Sequence, residues 1–307
     1  MSKKVLVATI KPFAKAAVEQ IKTVFSEAGY ELVLLESYKE QSEFVEAVND
    51  VDALIIRSDK CTEEVLNNAK NLKIVVRAGA GYDNIDLQVA TENGVVAMNT
   101  PGQNSNAVAE LVFGLMITLA RKQYLGKAGT ELKYKKIGIH AYGNVGKFVS
   151  KIAKGFEMEV FAYDPYVDDA IMKADDVQPV TSVEELYSSC DYISLHLPKI
   201  KETINSVNSE LMSQMKKGAA IINTARKEVV DEEGLKRIFA ERDDFLFASD
   251  VAPDCKDELR EKYPERCFFT AKKMGAQTLE ANINAGVAAA TQIINFLEKG
   301  DTTFKVN

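Results

Sequence analysis

Short apolar runs rich in β-branched residues recur along the chain, separated by amphipathic stretches. Residues 5–10, 32–36, 53–56, 74–77 and 95–99 are expected to form buried strands, with helices such as 14–28 and 65–69 between them. Strand–helix alternation of this kind specifies an α/β fold, a doubly wound parallel sheet with helices on both faces. A second series opens at residue 137 and continues through 160–163, 192–195, 219–223 and 246–248.

A long apolar helix, 106–120, lies between the two series, with Asn104 and Ser105 as its N-cap signal and Glu110 near its first turn. Another apolar helix, 281–297, comes near the end and is followed by Gly300 as a stop signal. Such a closing helix can return the chain to its first domain. The expected division is therefore 1–98 plus 288–307 in one domain and 99–287 in the other. A length of 307 residues agrees with two domains.

Composition narrows the partners. The chain is 46% hydrophobic and 27% charged with a formal charge of −7, which argues against nucleic acid or an anionic membrane. An anionic substrate must be held by a local cluster of Arg and Lys. No apolar run approaches the roughly 20 residues of a membrane-spanning helix, and the first residues lack a signal-peptide core, so a cytoplasmic location is expected. Cys61, Cys190, Cys255 and Cys267 form no CxxC pair and are expected to be free thiols. No metal site is expected, because only His140 and His196 could join them.

Residues 136–140 read as a short buried strand running into Ala141-Tyr142-Gly143-Asn144-Val145-Gly146, and 147–156 are helical in pattern. This is the context in which a dinucleotide pyrophosphate approaches the backbone and meets the N–H donors of a helix N-terminus. Tyr142, Gly143, Asn144, Val145 and Gly146 are thus candidate cofactor contacts. Asp164, after the next strand, would accept from the adenosine ribose hydroxyls and repel a 2′-phosphate. No Arg or Lys follows in Pro165-Tyr166-Val167, which favours NAD over NADP. Ala141 stands where the fingerprint has its first glycine, so the backbone there is expected to be right-handed.

With these residues in place, the chain resembles the D-isomer-specific 2-hydroxy-acid dehydrogenases. The resemblance is carried by Val76-Arg77-Ala78-Gly79-Ala80-Gly81-Tyr82-Asp83-Asn84-Ile85-Asp86, Asn99-Thr100-Pro101-Gly102, Asn223-Thr224-Ala225-Arg226 and Asp250, in the family's order. Arg57-Ser58 and the Lys-Lys-Met-Gly-Ala-Gln-Thr block at 272–278 resemble the short D-3-phosphoglycerate dehydrogenases, which lack a C-terminal regulatory domain. The resemblance implies two Rossmann- and flavodoxin-like domains with the active site in the cleft between them. It also implies a homodimer formed through the nucleotide domains.

Oxidation of a 2-hydroxy acid needs a cation for the carboxylate and an acid/base for the hydroxyl proton. Arg226 matches the family's arginine, whose planar fork suits a carboxylate. The family's His–Glu pair is missing: residues 250–255 offer no Glu, and Lys272-Lys273-Met274-Gly275 replaces Pro-His-x-Gly. Lys273 aligns with the absent His and becomes the candidate acid/base. An unperturbed Lys titrates near ~10.4, so burial and the charge of Arg226 are expected to lower its pKa.

Arg57, Ser58 and Lys60 follow the strand 53–56 and are candidates for a distal phosphate. Backbone N–H groups of Ala78, Gly79 and Ala80 are candidates for the substrate carboxylate. Val108, Thr203, Thr224 and Asp250 are cofactor-side residues by resemblance, with Asp250 toward the nicotinamide carboxamide. His196 closes a strand of the nucleotide domain and is expected beside the cofactor. Its neighbours Leu197 and Pro198 are grouped with it, as are Ala225, Gly275 and Ala276.

The leading expectation is NAD-dependent oxidation of 3-phospho-D-glycerate to 3-phosphohydroxypyruvate, the first committed step toward serine. A second keeps the fold and changes the acid to glyoxylate, hydroxypyruvate or D-lactate. A third, resting on the lost His–Glu pair, is a non-catalytic NAD-sensing scaffold.

Overall fold

The structure, a computed structural model, describes residues 2–307, which divide into two compact units, 2–104 with 277–307 and 105–276. The first unit runs β1 (Lys4–Thr9), α1 (Lys15–Glu27), β2 (Glu31–Glu36), α2 (Gln41–Ala47), β3 (Ala53–Ile56), α3 (Glu63–Asn68), β4 (Ile74–Arg77), α4 (Leu87–Glu92) and β5 (Val96–Asn99). The strands pair in parallel in the order β2-β1-β3-β4-β5. β3 is buried at every residue, because helices cover both faces of a parallel sheet.

The second unit runs α5 (Ser105–Ala120), β6 (Lys136–His140), α6 (Asn144–Gly155), β7 (Glu159–Tyr163), α7 (Asp169–Ala174), β8 (Gln178–Pro179), α8 (Val183–Ser189), β9 (Tyr192–Leu195), α9 (Ser209–Ser213), β10 (Ala220–Asn223), α10 (Glu232–Glu241), β11 (Leu246–Ser249), α11 (Lys256–Lys262) and β12 (Cys267–Phe269). Its seven strands are also parallel, ordered β12-β11-β10-β9-β6-β7-β8. The chain order reverses between β9 and β6, so the carboxyl ends of those strands flank the switch point at which such sheets take their ligands. Helix α5 buries Ala109, Val112, Phe113, Leu115, Met116 and Leu119 in the core of this unit.

The closing helix α12 (Leu279–Lys299) belongs to the first unit. Ala17, Ile21 and Phe25 form the buried stripe of α1, and a Cβ at Gly286 of α12 would lie 2.7 Å from Ile21 Cδ1. Glycine there lets the two helices approach. Thr278 caps α12 by accepting from Ala281 N–H, and Gly300 ends it at φ 68°. The units meet at 104/105 and 276/277 rather than at 98/99 and 287/288, because all of α12 falls in the first unit and all of α5 in the second. The two shortest edge strands, β8 and β12, were not expected from periodicity; with two and three residues they are too short to show any.

Among the described residues no helix is long and apolar enough to cross a membrane, and no group of His, Cys, Asp or Glu could hold a metal. All four cysteines are free.

Candidate active site and nucleotide turn

Strand β6 ends at His140, and the chain turns through Ala141 at φ 80° into α6, with Gly143 as N-cap. The right-handed Ala141 expected from its Cβ is therefore wrong. A left-handed Ala costs roughly 1–2 kcal/mol, and the bonds around the turn explain why it is tolerated. Ala141 N–H donates to Tyr163 O at 2.9 Å, and Tyr142 N–H donates to Asp164 Oδ2 at 2.8 Å. The Tyr142 ring is fully buried, and its hydroxyl meets Ser150 Oγ at 3.0 Å and Asp175 Oδ2 at 2.9 Å. Only the backbone of Tyr142 is thus placed to meet a ligand.

Gly146 has a steric reason. A Cβ there would lie 2.8 Å from Ala141 O and 3.0 Å from Ile139 Cγ2. No side chain caps α6, so the first-turn N–H groups, those of Asn144, Val145 and Gly146 among them, are left uncapped at the positive end of a 12-residue helix, where an anion could accept from them. Asp164 Oδ1 accepts from Tyr166 N–H at 2.9 Å, which fixes the carboxylate from both sides. Thr224 Oγ1, just beyond β10, is buried with no hydrogen-bond partner among the described residues. An uncapped helix end, a held carboxylate and an orphaned hydroxyl suit a dinucleotide.

The two histidines lie at the ends of adjacent strands, and His196 N–H donates to His140 O at 2.9 Å. His140 Nδ1 meets Tyr187 Oη at 3.1 Å, and His196 Nε2 meets Ser194 Oγ at 2.9 Å. Burial pushes the His140 imidazole down to about 4, against the opposing pull of Asp164. Burial pushes His196 down to about 3, and His140 adds to the effect. Both rings are neutral at pH 7. Thr203 Oγ1 accepts from Ile200 N–H at 3.0 Å and binds Pro198 O, so it braces the loop after Leu197 and Pro198.

A hollow of about 310 Å³ opens in the same unit, lined by Arg226, Lys227, Glu228, Asp250, Val251, Ala252, Lys256 and residues 270–273. It brings Arg226, Asp250 and Lys273 together. Arg226 is shaped by its own backbone: Asn223 Nδ2 donates to Arg226 O and Arg226 Nη1 to Ala225 O, both at 2.9 Å. Asp250 is 3% exposed. Its Oδ1 accepts from Thr270 Oγ1 at 2.8 Å and Met274 N–H at 2.6 Å, and its Oδ2 from Gly275 N–H at 2.8 Å. The carboxylate expected to face a carboxamide thus holds the segment that carries Lys273. Gly275 is close-packed, since a Cβ there would lie 3.1 Å from Asp250 Oδ2 and 3.2 Å from Val108 Cγ2. Ala276 follows at the edge of the unit. Lys273 itself is exposed, so the burial expected to lower its pKa is absent. Lys256 and Thr270 were not named from sequence, because nothing in their local pattern marks them, and Lys272 was named only within the block 272–278; their place after β11 and β12 brings them to this hollow.

In the first unit the expected ligand groups are partly engaged. Arg57 Nη1 donates to Lys11 O and Pro12 O, each at 2.9 Å, and the guanidinium sits 4.9 Å from the Phe13 ring centroid. Burial lowers its pKa, with Asp59 opposing. Asp59, buried and overlooked, accepts from Ile10 N–H, Tyr38 Oη and Arg57 N–H and fixes this loop, whereas Ser58 and Lys60 are exposed. Ala78 N–H donates to Ile56 O and Gly79 N–H to Arg77 O, both at 2.8 Å. Two of the three amides expected to take a carboxylate therefore already have acceptors, and Ala80 N–H alone does not among the described residues.

Residues 114–265 match the family model described as the D-isomer specific 2-hydroxyacid dehydrogenase, NAD binding domain. A hydroxypyruvate reductase of Thermotoga maritima is 34% identical over 284 residues, 87% of this chain and 92% of that protein. A D-3-phosphoglycerate dehydrogenase of Methanocaldococcus jannaschii is 34% identical over 267 residues, 82% of this chain but 51% of that protein, so this chain spans about half of its length. The NAD⁺-bound 3-phosphoglycerate dehydrogenase of Entamoeba histolytica superposes with a TM-score of 0.92 at 46% identity, covering 100% of this chain and 99% of that one. With the parallel sheets, the glycine turn and the held Asp164, these likenesses establish that the chain belongs to the D-isomer-specific 2-hydroxyacid dehydrogenases, whose cofactor is NAD.

Proposed function

We propose that this chain oxidises 3-phospho-D-glycerate to 3-phosphohydroxypyruvate in serine biosynthesis, acting in the cytoplasm as a homodimer through its nucleotide domains. The observation that carries the reading is the meeting of Arg226 and Lys273 in one hollow, on a segment anchored by Asp250. Arg226 binds the carboxylate and stabilises charge on the C2 oxygen. Lys273 Nζ, as the neutral amine, takes the hydroxyl proton as the C2–H bond breaks and the C2=O bond forms. Bound NAD supplies the acceptor for the hydride and its electron pair. Asn144, Val145 and Gly146 present N–H groups to the pyrophosphate, Asp164 holds the ribose, and Thr224 and His196 line the cofactor side.

A second reading, reduction of unphosphorylated hydroxypyruvate, is favoured by the Thermotoga maritima relative, 92% of whose length the chain matches. Steady-state NADH consumption with 3-phosphohydroxypyruvate and with hydroxypyruvate separates the two. A kcat/KM at least tenfold higher for the phosphorylated acid is expected, and equal values would favour the second reading.

A further inference from the structure

A buried carboxylate ties three loops together at the carboxyl edge of the first sheet. Asp59, 2% exposed, accepts at Oδ1 from Ile10 N–H at 2.6 Å and from Tyr38 Oη at 3.0 Å. Its Oδ2 accepts from Arg57 N–H at 3.2 Å. Ile10 follows β1, Tyr38 follows β2 and Arg57 follows β3. These strands are parallel neighbours with β1 in the middle, so their carboxyl ends share the edge at which such sheets take ligands. Burying a carboxylate is costly unless donors surround it. Here the donors come one from each loop, so the charge fixes the loops against one another.

The loop after β3 is also gripped along its carbonyls. Arg57 O accepts from Arg77 Nε at 2.9 Å and Asn84 Nδ2 at 3.2 Å, and Asp59 O accepts from Asn84 Nδ2 at 2.6 Å. Lys60 O accepts from Gln41 Nε2 at 3.0 Å, and Cys61 O from Asp86 N–H at 3.0 Å. Exposure alternates along this anchored stretch: Asp59 turns inward, while Ser58 and Lys60 on either side of it are exposed. A hydroxyl and an ammonium held outward on a fixed backbone suit the oxygens of an anionic group.

We propose that Asp59 is a positioning residue for substrate selectivity: by holding the three loops on one carboxylate, it fixes Ser58 and Lys60 in place for the phosphate of the 2-hydroxy acid. The proposal rests on the phosphorylated-substrate reading above and deepens it. Asp59 touches no substrate and acts through the loop, with Tyr38 as one of its three donors. A loosened loop must be ordered when the phosphate binds, which weakens affinity for the phosphorylated acid. An acid without a phosphate makes no use of the loop and is spared.

The test uses the full-length enzyme and the ratio of kcat/KM for 3-phosphohydroxypyruvate to that for hydroxypyruvate, with urea unfolding alongside. Asp59→Asn should lower the ratio about tenfold through the KM of the phosphorylated acid, with kcat within about twofold. Tyr38→Phe keeps the carboxylate and removes one donor, so it should lower the ratio about threefold. Lys60→Ala should lower the ratio as well, and Asp59→Asn should have a smaller effect on the ratio in that background than in wild type, because the two act through one loop. Should Asp59→Asn fail to fold, Tyr38→Phe decides the matter alone. An unchanged ratio in Tyr38→Phe and in a folded Asp59→Asn, or an equal loss of kcat/KM for both acids, would make Asp59 a structural anchor only. Either result would overturn the positioning role and leave the phosphorylated substrate standing. A wild-type ratio near one would overturn the functional reading and the positioning role with it.

Discussion

Asp250 holds Gly275: the carboxylate at the end of β11 accepts the Gly275 N–H at 2.8 Å, and its other oxygen takes Met274 N–H and the Thr270 hydroxyl. Three donors converge on one buried anion, and the chain between them carries Lys272 and Lys273. Hydrogen bonds to a charged acceptor contribute about 1.5–3 kcal/mol each when a partner is removed. Replacing Asp250 by Asn turns one acceptor into a donor facing an N–H group.

Asp250→Asn is therefore expected to lower unfolding stability by about 2–3 kcal/mol and kcat by tenfold or more, because Lys273 loses its fixed place. Urea unfolding and steady-state kinetics check both. Weakened NADH binding with unchanged stability and kcat would mean that Asp250 serves the cofactor alone.

At Ala141 the strain is local. Its φ of 80° places a Cβ where glycine carries none. Ala141→Gly should relieve roughly 1–2 kcal/mol of it, offset by about 0.4–1 kcal/mol from the freer unfolded chain. A net gain of about 0.5–1 kcal/mol in urea unfolding is expected, with NADH affinity within twofold. Ala141→Val should destabilise, since a β-branched residue tolerates this region worse than Ala does. A loss of stability in Ala141→Gly would show that the left-handed turn is imposed by its surroundings at no cost.

Much of the fold was legible because buried parallel strands are apolar on both faces and announce themselves without context. The expected strands 53–56, 74–77 and 192–195 coincide with β3, β4 and β9. Of the candidate site, sequence could name only positions where chemistry demands a residue type at a spacing, as at Gly143, Gly146, Asp164 and Arg226. The hand of Ala141 was not legible, because it is decided by Asp164 and by Tyr163, 23 and 22 positions downstream in sequence but adjacent across β6 and β7. Nor were the engaged amides of Ala78 and Gly79, or the meeting of Lys256 and Lys272 in one hollow. Those depend on which loops the sheet order brings to one edge.

The histidines predict an acid limit to stability. Burial pushes His140 down to about 4 and His196 down to about 3 in the folded chain, below the ordinary imidazole value of 6.5. Between those limits the unfolded chain binds protons that the folded chain refuses, so stability is intact above pH 6.5 and falls as pH drops through the window. Two such groups give a slope of up to roughly 2.7 kcal/mol per pH unit. The charge facing His140 is Asp164, and Tyr163 and Tyr187 pack on its ring. Urea unfolding between pH 7 and pH 4.5 should show the decline, and it should be shallower in His196→Gln. Identical slopes in wild type and variant would remove His196 from the account.

Lys273 carries the most direct prediction. Removing a positioned general base slows turnover by ~10²–10⁴-fold, and Lys273→Met should do so while NADH affinity stays within twofold. The side chain is exposed, so the variant should fold. Lys273→Arg separates charge from proton transfer: arginine retains the cation but cannot shed a proton near neutral pH, so it should not rescue kcat. Lys273→His should recover part of it, because a neutral imidazole can take the hydroxyl proton, and its kcat/KM profile should rise at lower pH than that of wild type. Stopped-flow and steady-state rates with fluorescence titration of NADH measure all three. Near-normal turnover in Lys273→Met, or full rescue by arginine, would show that Lys273 acts by charge or not at all.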